Sequence, residues 1–154
     1  MPLPVTTAPA IDLLIGQIKS KSAAMRGAAI GDLALVGGSR ATPALVNALA
    51  VKQTFGAATA ALVQIYAADA TPLLRYLKSA KTVRVFRPII RIGQAGTEGA
   101  LSTALAKFGY KSTALDYLNC GNTALDKAAH RWASRHGYVV YSVPGGGADV
   151  TWWR

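Results

Sequence analysis

Acidic residues are scarce in this chain. Seven Asp and Glu stand against seventeen Lys and Arg, for a net charge of +10 over 154 residues. The seven are Asp12, Asp32, Asp69, Glu98, Asp116, Asp126 and Asp149. No two of them form a pair that reads as a general acid and a general base. Cys120 is the single cysteine, which excludes an intramolecular disulfide and makes a reducing cytoplasm the simplest location. It has no base nearby in sequence and reads as a small hydrophobe rather than a nucleophile. The two histidines, His130 and His136, are six apart and cannot share a helix face. No Cys-x-x-Cys or His-x-x-x-His occurs, so nothing in the sequence supports a metal site. No apolar run of about 18 residues lacks charge, which argues against a membrane span. The opening MPLPVTTAPAIDLL has no basic stretch before its apolar part and does not read as a secretory signal. Gly145-Gly146-Gly147 opens no helix and is followed by no Lys-Ser/Thr pair, so it is a turn and not a phosphate loop. The expected lists of catalytic, cofactor-binding and metal-binding residues are therefore empty, and non-enzymatic action is the favoured reading.

What is present is a well-packed composition. Half the chain (51%) is apolar and only 16% is charged, enough to build one continuous core and too apolar for disorder. The excess positive charge favours polyanionic partners, nucleic acid or an acidic protein surface. The bland alternative is a basic surface that only keeps the protein soluble.

A self-similarity of about 28 residues organises the chain. Residues 41–50 read ATPALVNALA, 70–77 read ATPLLRYL, and 96–106 read GTEGALSTALA. Leu45, Leu73 and Leu101 occupy equivalent places, as do Leu49, Leu77 and Leu105. Thr42, Thr71 and Thr97 open the segments and are expected to cap helix N-termini. Pro43 and Pro72 then fall at the first helical position. A period of this size implies stacked helical hairpins, each burying its apolar face against its neighbours.

Apolar spacing and cap signals place further helices. The first spans about 9–19, with Ile11, Leu14, Ile15 and Ile18 on one face. The second starts at the cap candidate Ser22 and stops at Gly37-Gly38, with Met25, Ala29, Leu33 and Val36 inward. The fourth spans about 53–67. The sixth spans about 82–92, where Pro88 either kinks the helix or delays its start. An eighth covers 113–118, and a ninth runs from Asn122 or Thr123 to His136. After Gly137 the period changes. Tyr138 to Val143, the Pro144-Gly-Gly-Gly turn, and Val150 to Trp153 read as a β-hairpin folded back on the last helices. The expected fold is all-α, an α-α superhelix of stacked hairpins over residues 1–137, with a small C-terminal β-hairpin over 138–154 that caps the same domain.

Two stretches, MRGAAIGDLALVGGSRATPALVNALA and VRVFRPIIRIGQAGTEGALSTALA, resemble the HEAT-repeat family in its short bacterial form. They share a hydrophobe-Arg opening (Met25-Arg26, Val83-Arg84), an apolar helix, a Gly-containing turn and a second short helix. The middle unit departs from this, with Thr54-Phe55 in place of the opening pair, and most turns lack the family's acidic residue. The resemblance implies an adaptor that binds a protein partner through its repeat surface, with no cofactor. A rival reading is nucleic-acid binding. Some proteins similar to HEAT solenoids cradle DNA, and a subset of them excises damaged bases with an aspartate flanked by aromatics, for which Asp116-Tyr117 and Asp126 near Trp132 are the only loose matches. Bilin lyases also look like short HEAT arrays, but no pigment pocket is marked here.

The candidate binding residues are two basic stripes. Arg75 and Lys78 lead into Arg84, Arg87 and Arg91, whose spacing puts the last three on one face of a helix. Lys127, Arg131 and Arg135 form the second stripe. Either could follow a phosphate backbone or be an ordinary solvated face. Trp152 and Trp153, beside Arg154, form an aromatic tip, either a stacking platform or a lid beside Trp132. The sequence leaves the oligomeric state open.

Overall fold

The computed structural model describes residues 8–36 and 38–152, with side chains described through Val150. It is mostly helical with one small two-stranded sheet. The α-helices are α1 (Ala8–Gln17), α2 (Ala23–Val36), α3 (Gly38–Ala48), α4 (Phe55–Tyr66), α5 (Phe86–Ile92), α6 (Glu98–Phe108), α7 (Lys111–Leu118) and α8 (Thr123–Arg135). Two 3-10 segments, Thr71–Lys78 and Val83–Val85, stand between α4 and α5. The strands are β1 (Tyr138–Ser142) and β2 (Ala148–Trp152). None of the described helices is long and apolar enough to cross a membrane.

Two rows of packed helices can be followed. α2 packs on α4, and α4 on α5; across from them the 71–78 segment packs on α6, and α6 on α8. α1 closes against α2 and α3. The six equivalent leucines, Leu45, Leu73, Leu101, Leu49, Leu77 and Leu105, are all buried in one core that runs from Ile11 to Val150. Each contributes about 1.5–3 kcal/mol by leaving water.

The expected threonine caps are absent. Thr42 lies inside α3, its hydroxyl bonded back to the Gly38 carbonyl and paired with the Tyr66 hydroxyl. Pro43 therefore sits within α3, not at its first position. The start of α3 is fixed from outside, by a two-pronged Arg40–Asp12 contact at 2.9 and 3.2 Å. At the second segment Asp69, not Thr71, supplies the side-chain acceptor, taking the Thr71 N–H at 3.0 Å. Pro72 does fall in the first turn, and the segment is 3-10 rather than α. Its two ends are held by other parts of the chain: Gln94 accepts the Ala70 N–H at 2.6 Å, and the Thr82 hydroxyl bonds the Tyr76 carbonyl at 2.6 Å. Thr97 occupies the cap position of α6, but its hydroxyl donates to the Gln94 carbonyl at 2.8 Å.

Two caps stand where the sequence puts them. Ser22 Oγ accepts the Met25 N–H at 3.3 Å, and Asn122 Oδ1 accepts the Leu125 N–H at 3.1 Å. Pro88 falls at the third residue of α5, so the proline delays the α-helix, and a 3-10 turn precedes it. Helix α2 is rotated from expectation. Met25 faces outward, and Ala29, Ile30 and Leu33 face the core. The partly buried Arg26 donates from Nη1 to the carbonyls of Ser20 (2.8 Å) and Lys21 (3.1 Å), stapling the α1–α2 turn.

The hairpin is antiparallel, with Tyr138 opposite Trp152 and Ser142 opposite Ala148. β1 packs on α8 and β2 on α7. Val150 is buried, and Tyr138 stacks on Trp132 at 5.4 Å between ring centres. Gly137, at φ 74°, makes the left-handed turn from α8 into β1 that a residue with a Cβ adopts only at a cost.

Candidate binding surfaces

Three surfaces gather the chemistry-bearing side chains. The largest is an open cleft of about 790 Å³ at the α1–α3 end. Ile15 of α1, Ile18 just past its end, Ala44 of α3 and Val51 form its apolar part, while Lys19, Lys21, Arg26 and Arg40 supply the charge. Arg40 is tied to Asp12, which holds its guanidinium above its ordinary pKa through the hydrogen bond and the ion pair. Lys19 and Lys21 are exposed and make no ion pair among the described residues. The sequence reading missed this cleft. Its signal was the Lys19-Ser-Lys21 cluster at a helix end, with Arg40 brought in only by the fold.

The second surface lies over α5. Arg84, Arg87 and Arg91 are brought to it as the sequence spacing suggests, but from two elements: Arg84 from the 3-10 turn, Arg87 and Arg91 from α5. One cleft of about 360 Å³ holds Lys52, Phe55, Arg84, Arg87, Tyr110, Ser112 and Asp116. A neighbouring cleft of about 370 Å³ holds Arg87, Ile90, Arg91, Asp116 and Cys120. Arg87 is the hinge between them. Its guanidinium lies 4.5 Å from the centre of the Phe55 ring and 2.7 Å from Asp116 Oδ2. Asp116 is thereby a counter-ion. Tyr117, its neighbour in sequence, is fully buried with its hydroxyl on the Leu101 carbonyl at 2.8 Å, so it does not flank Asp116 in a cleft. Burial raises the Tyr117 phenol well above its ordinary pKa. The aromatics that do share a cleft with Asp116 are Phe55, Phe86 and Tyr110, from distant parts of the chain. Cys120 is half-buried, its thiol on the Tyr117 carbonyl at 3.1 Å.

The third surface lies on the other row of helices. A cleft of about 210 Å³ between α6 and α8 is lined by Ser102, Thr103, Ala106, Ala128, Arg131, Trp132, Arg135 and His136. Thr103 also borders a cleft of about 360 Å³ that contains Lys78 and Lys107. Lys78 thus belongs with Arg131 and Arg135 and not with the α5 group. Lys127 is exposed on α8 and Arg75 is exposed beside the Tyr76 ring, 5.5 Å away; neither enters a cleft described above. Asp126 lies in the first turn of α8, 3.5 Å from His130 Nδ1. Trp152 ends β2, but its side chain and Trp153 lie outside the described residues. No group of three or more potential metal ligands occurs among the described residues.

Compared with known proteins, the chain matches no protein family, no curated protein and no solved structure.

Proposed function

We propose that this protein is a non-enzymatic helical-repeat adaptor of the HEAT-like type, working in the cytoplasm, that binds an acidic amphipathic segment of a partner protein. The observation that carries the reading is the α1–α3 cleft. An apolar floor of Ile15, Ile18, Ala44 and Val51 suits the apolar face of a helix, and Lys19, Lys21 and Arg26 suit carboxylates along its edges. Its volume of about 790 Å³ falls within the usual range of ligand-binding clefts. Two rows of packed helices, with the equivalent leucines buried between them, are consistent with a repeat array.

The test is fluorescence anisotropy with a labelled helical peptide of Leu and Glu and a matched peptide with Gln for Glu. The acidic peptide should bind and the Gln peptide should bind weakly. Lys19→Glu with Lys21→Glu should weaken the acidic peptide about tenfold or more, because each opposed charge becomes a like charge. Equal binding of the two peptides, or no effect of the charge reversals, would sink the proposal.

A second reading, nucleic-acid binding, is favoured by the α5 surface, where Lys52 and Arg84 share a cleft with Phe55 and Tyr110 and Arg91 lines the neighbouring one. Basic side chains with interleaved aromatics suit a single strand. Anisotropy with single- and double-stranded oligonucleotides over about 50 to 200 mM salt separates the readings. Arg84→Glu with Arg91→Glu is the cleaner variant, since both side chains are exposed and the Arg87–Asp116 pair stays intact.

A further inference from the structure

We infer that the small cleft between α6 and α8 is a binding site for a phosphate group. The inference goes beyond the adaptor reading and shares no lining residue with the α1–α3 cleft.

The lining is rich in donors. Arg131 and Arg135, one turn apart on α8, present guanidinium groups that have donors only. Neither makes an ion pair among the described residues, and the nearby Asp126 lies 3.5 Å from His130 Nδ1 on the same helix. No carboxylate lines the cleft. Ser102 and Thr103 add hydroxyls from α6; the Thr103 hydroxyl already donates to the Gly99 carbonyl at 3.0 Å, so of the two it is Ser102 that has a hydrogen to offer an oxyanion.

A second, independent observation concerns the cleft wall. Trp132 is only 5% exposed, and its indole Nε1 is buried without any acceptor. A buried donor with no partner is destabilising, because it has given up its bond to water without replacing it. The ring stacks with two neighbours, His136 at 4.3 Å and Tyr138 at 5.4 Å between ring centres. His136 is itself anchored, its Nδ1–H donating to the Trp132 carbonyl at 2.8 Å. The cleft wall therefore carries one donor that no protein acceptor among the described residues satisfies.

Size and charge select the ligand. A volume of about 210 Å³ is too small for a helix and suits one tetrahedral anion. Guanidinium forks match phosphate oxygens two at a time. Lys78 and Lys107, beyond Thr103, extend the cationic path along α6, so the phosphate could be free or one unit of a nucleic-acid backbone.

The experiment uses the whole chain labelled with 15N and follows the Trp132 indole N–H, assigned with Trp132→Phe. Inorganic phosphate and, separately, a short oligothymidylate are titrated against sodium chloride at matched ionic strength. Saturable movement of the Trp132 resonance with phosphate, absent with chloride, supports a site for free phosphate. Movement with the oligonucleotide alone, weakened by Lys78→Glu and Lys107→Glu, assigns the site to a phosphodiester backbone. In either case Arg131→Ala with Arg135→Ala should weaken binding about tenfold or more, the loss of a charge-assisted hydrogen bond. These two side chains are exposed, so the variant keeps the core, which circular dichroism checks. No movement with either probe, or movement that survives the double arginine variant, overturns the inference.

Discussion

Tyr117 heads the fully buried side chains by volume, and its hydroxyl has one partner, the Leu101 carbonyl. Its ring also meets Phe86 at 5.7 Å. Tyr117→Phe keeps the ring packing and removes the hydrogen bond, so unfolding should become easier by about 1–2 kcal/mol, measured by urea denaturation. Burial also raises the phenol's pKa, and the sign follows. Below the unfolded tyrosine's value of about 10 both states are protonated and the full stability is present. Above it the unfolded chain loses the proton first, so stability falls as pH rises. The acid side runs the other way. Hydrogen bonds from the Thr71 hydroxyl and N–H, then Gln94, hold Asp69 below the ordinary carboxylate range. Glu98 is held down by its own backbone N–H, that of Gly96, and Asn122. Each contributes stability above the unfolded value of about 4, lost as pH falls through the lower folded value. Asp69→Asn with Glu98→Gln should flatten the loss of melting temperature below about pH 4; an unchanged slope would assign it to other carboxylates. At this scale the sequence was half legible. Asn122 and Ser22 cap as their positions suggest, because caps act within one turn. The threonines mislead, because Thr42 answers to Tyr66, 24 residues away, and a local rule has no access to that contact.

Asn119 shows what holds an element in place. Its amide lies at the end of α7 and grips β2 from both sides: Nδ2 donates to the Ala148 carbonyl at 3.0 Å, and Oδ1 accepts the Ala148 N–H at 2.8 Å. A third bond, to the Leu115 carbonyl at 2.8 Å, fixes the side chain to its own helix. Asn119 thus acts as a short extra strand partner for a hairpin that would be marginal alone. Asn119→Ala should cost about 1–2 kcal/mol and speed hydrogen exchange at the Ala148 N–H, while amides in α4 keep their protection. Gly147 completes the contact. It has φ 86°, and a Cβ there would stand 2.9 Å from Asn119 Oδ1. Gly147→Ala is therefore destabilising, and in a double-mutant cycle Asn119→Ala should remove part of its cost, since the clash partner is gone. Additive losses would show that backbone strain alone is at work. The hairpin itself was plain in the sequence, where the period changes from that of helices to that of strands after Gly137. Its docking was not, because Asn119 lies 29 residues from Ala148 and carries no pattern. The 71–78 segment failed for a similar reason. Its leucine spacing reads as α-helix, but ends pinned by Gln94 and Thr82 hold it as 3-10.

Charge is the property of the whole molecule, and its sum was legible where its arrangement was not. The candidate arginines and lysines of one sequence stretch divide between two rows of helices: Arg84, Arg87 and Arg91 over α5, Lys78 beside α6. Only the order of helices in space separates them, and spacing along one helix does not encode that order. The net charge of +10 has its own consequence for stability. Two effects compete when salt is added. Screening weakens the repulsion among the surplus cations, which stabilises the fold. It also weakens the ion pairs, of which the described residues hold two with Arg as the cation, Arg40–Asp12 and Arg87–Asp116. Those pairs are exposed, with side chains 35–57% accessible, and pairs of that kind contribute about 0–1 kcal/mol each. The repulsion involves ten unbalanced charges on one 16.1 kDa particle and reaches further than any single pair. Raising sodium chloride from about 0.01 M to about 0.15 M shortens the screening length from about 30 Å to about 8 Å. Repulsion should be the larger loss, and the melting temperature should rise, by about 2–4 °C for each kcal/mol of repulsion removed. Scanning calorimetry at the two salt concentrations reads this directly. Chloride is the right anion, because phosphate would add binding between α6 and α8 to screening. A fall in melting temperature would mean that the ion pairs outweigh the surplus, and that the cations are spread widely enough not to oppose one another.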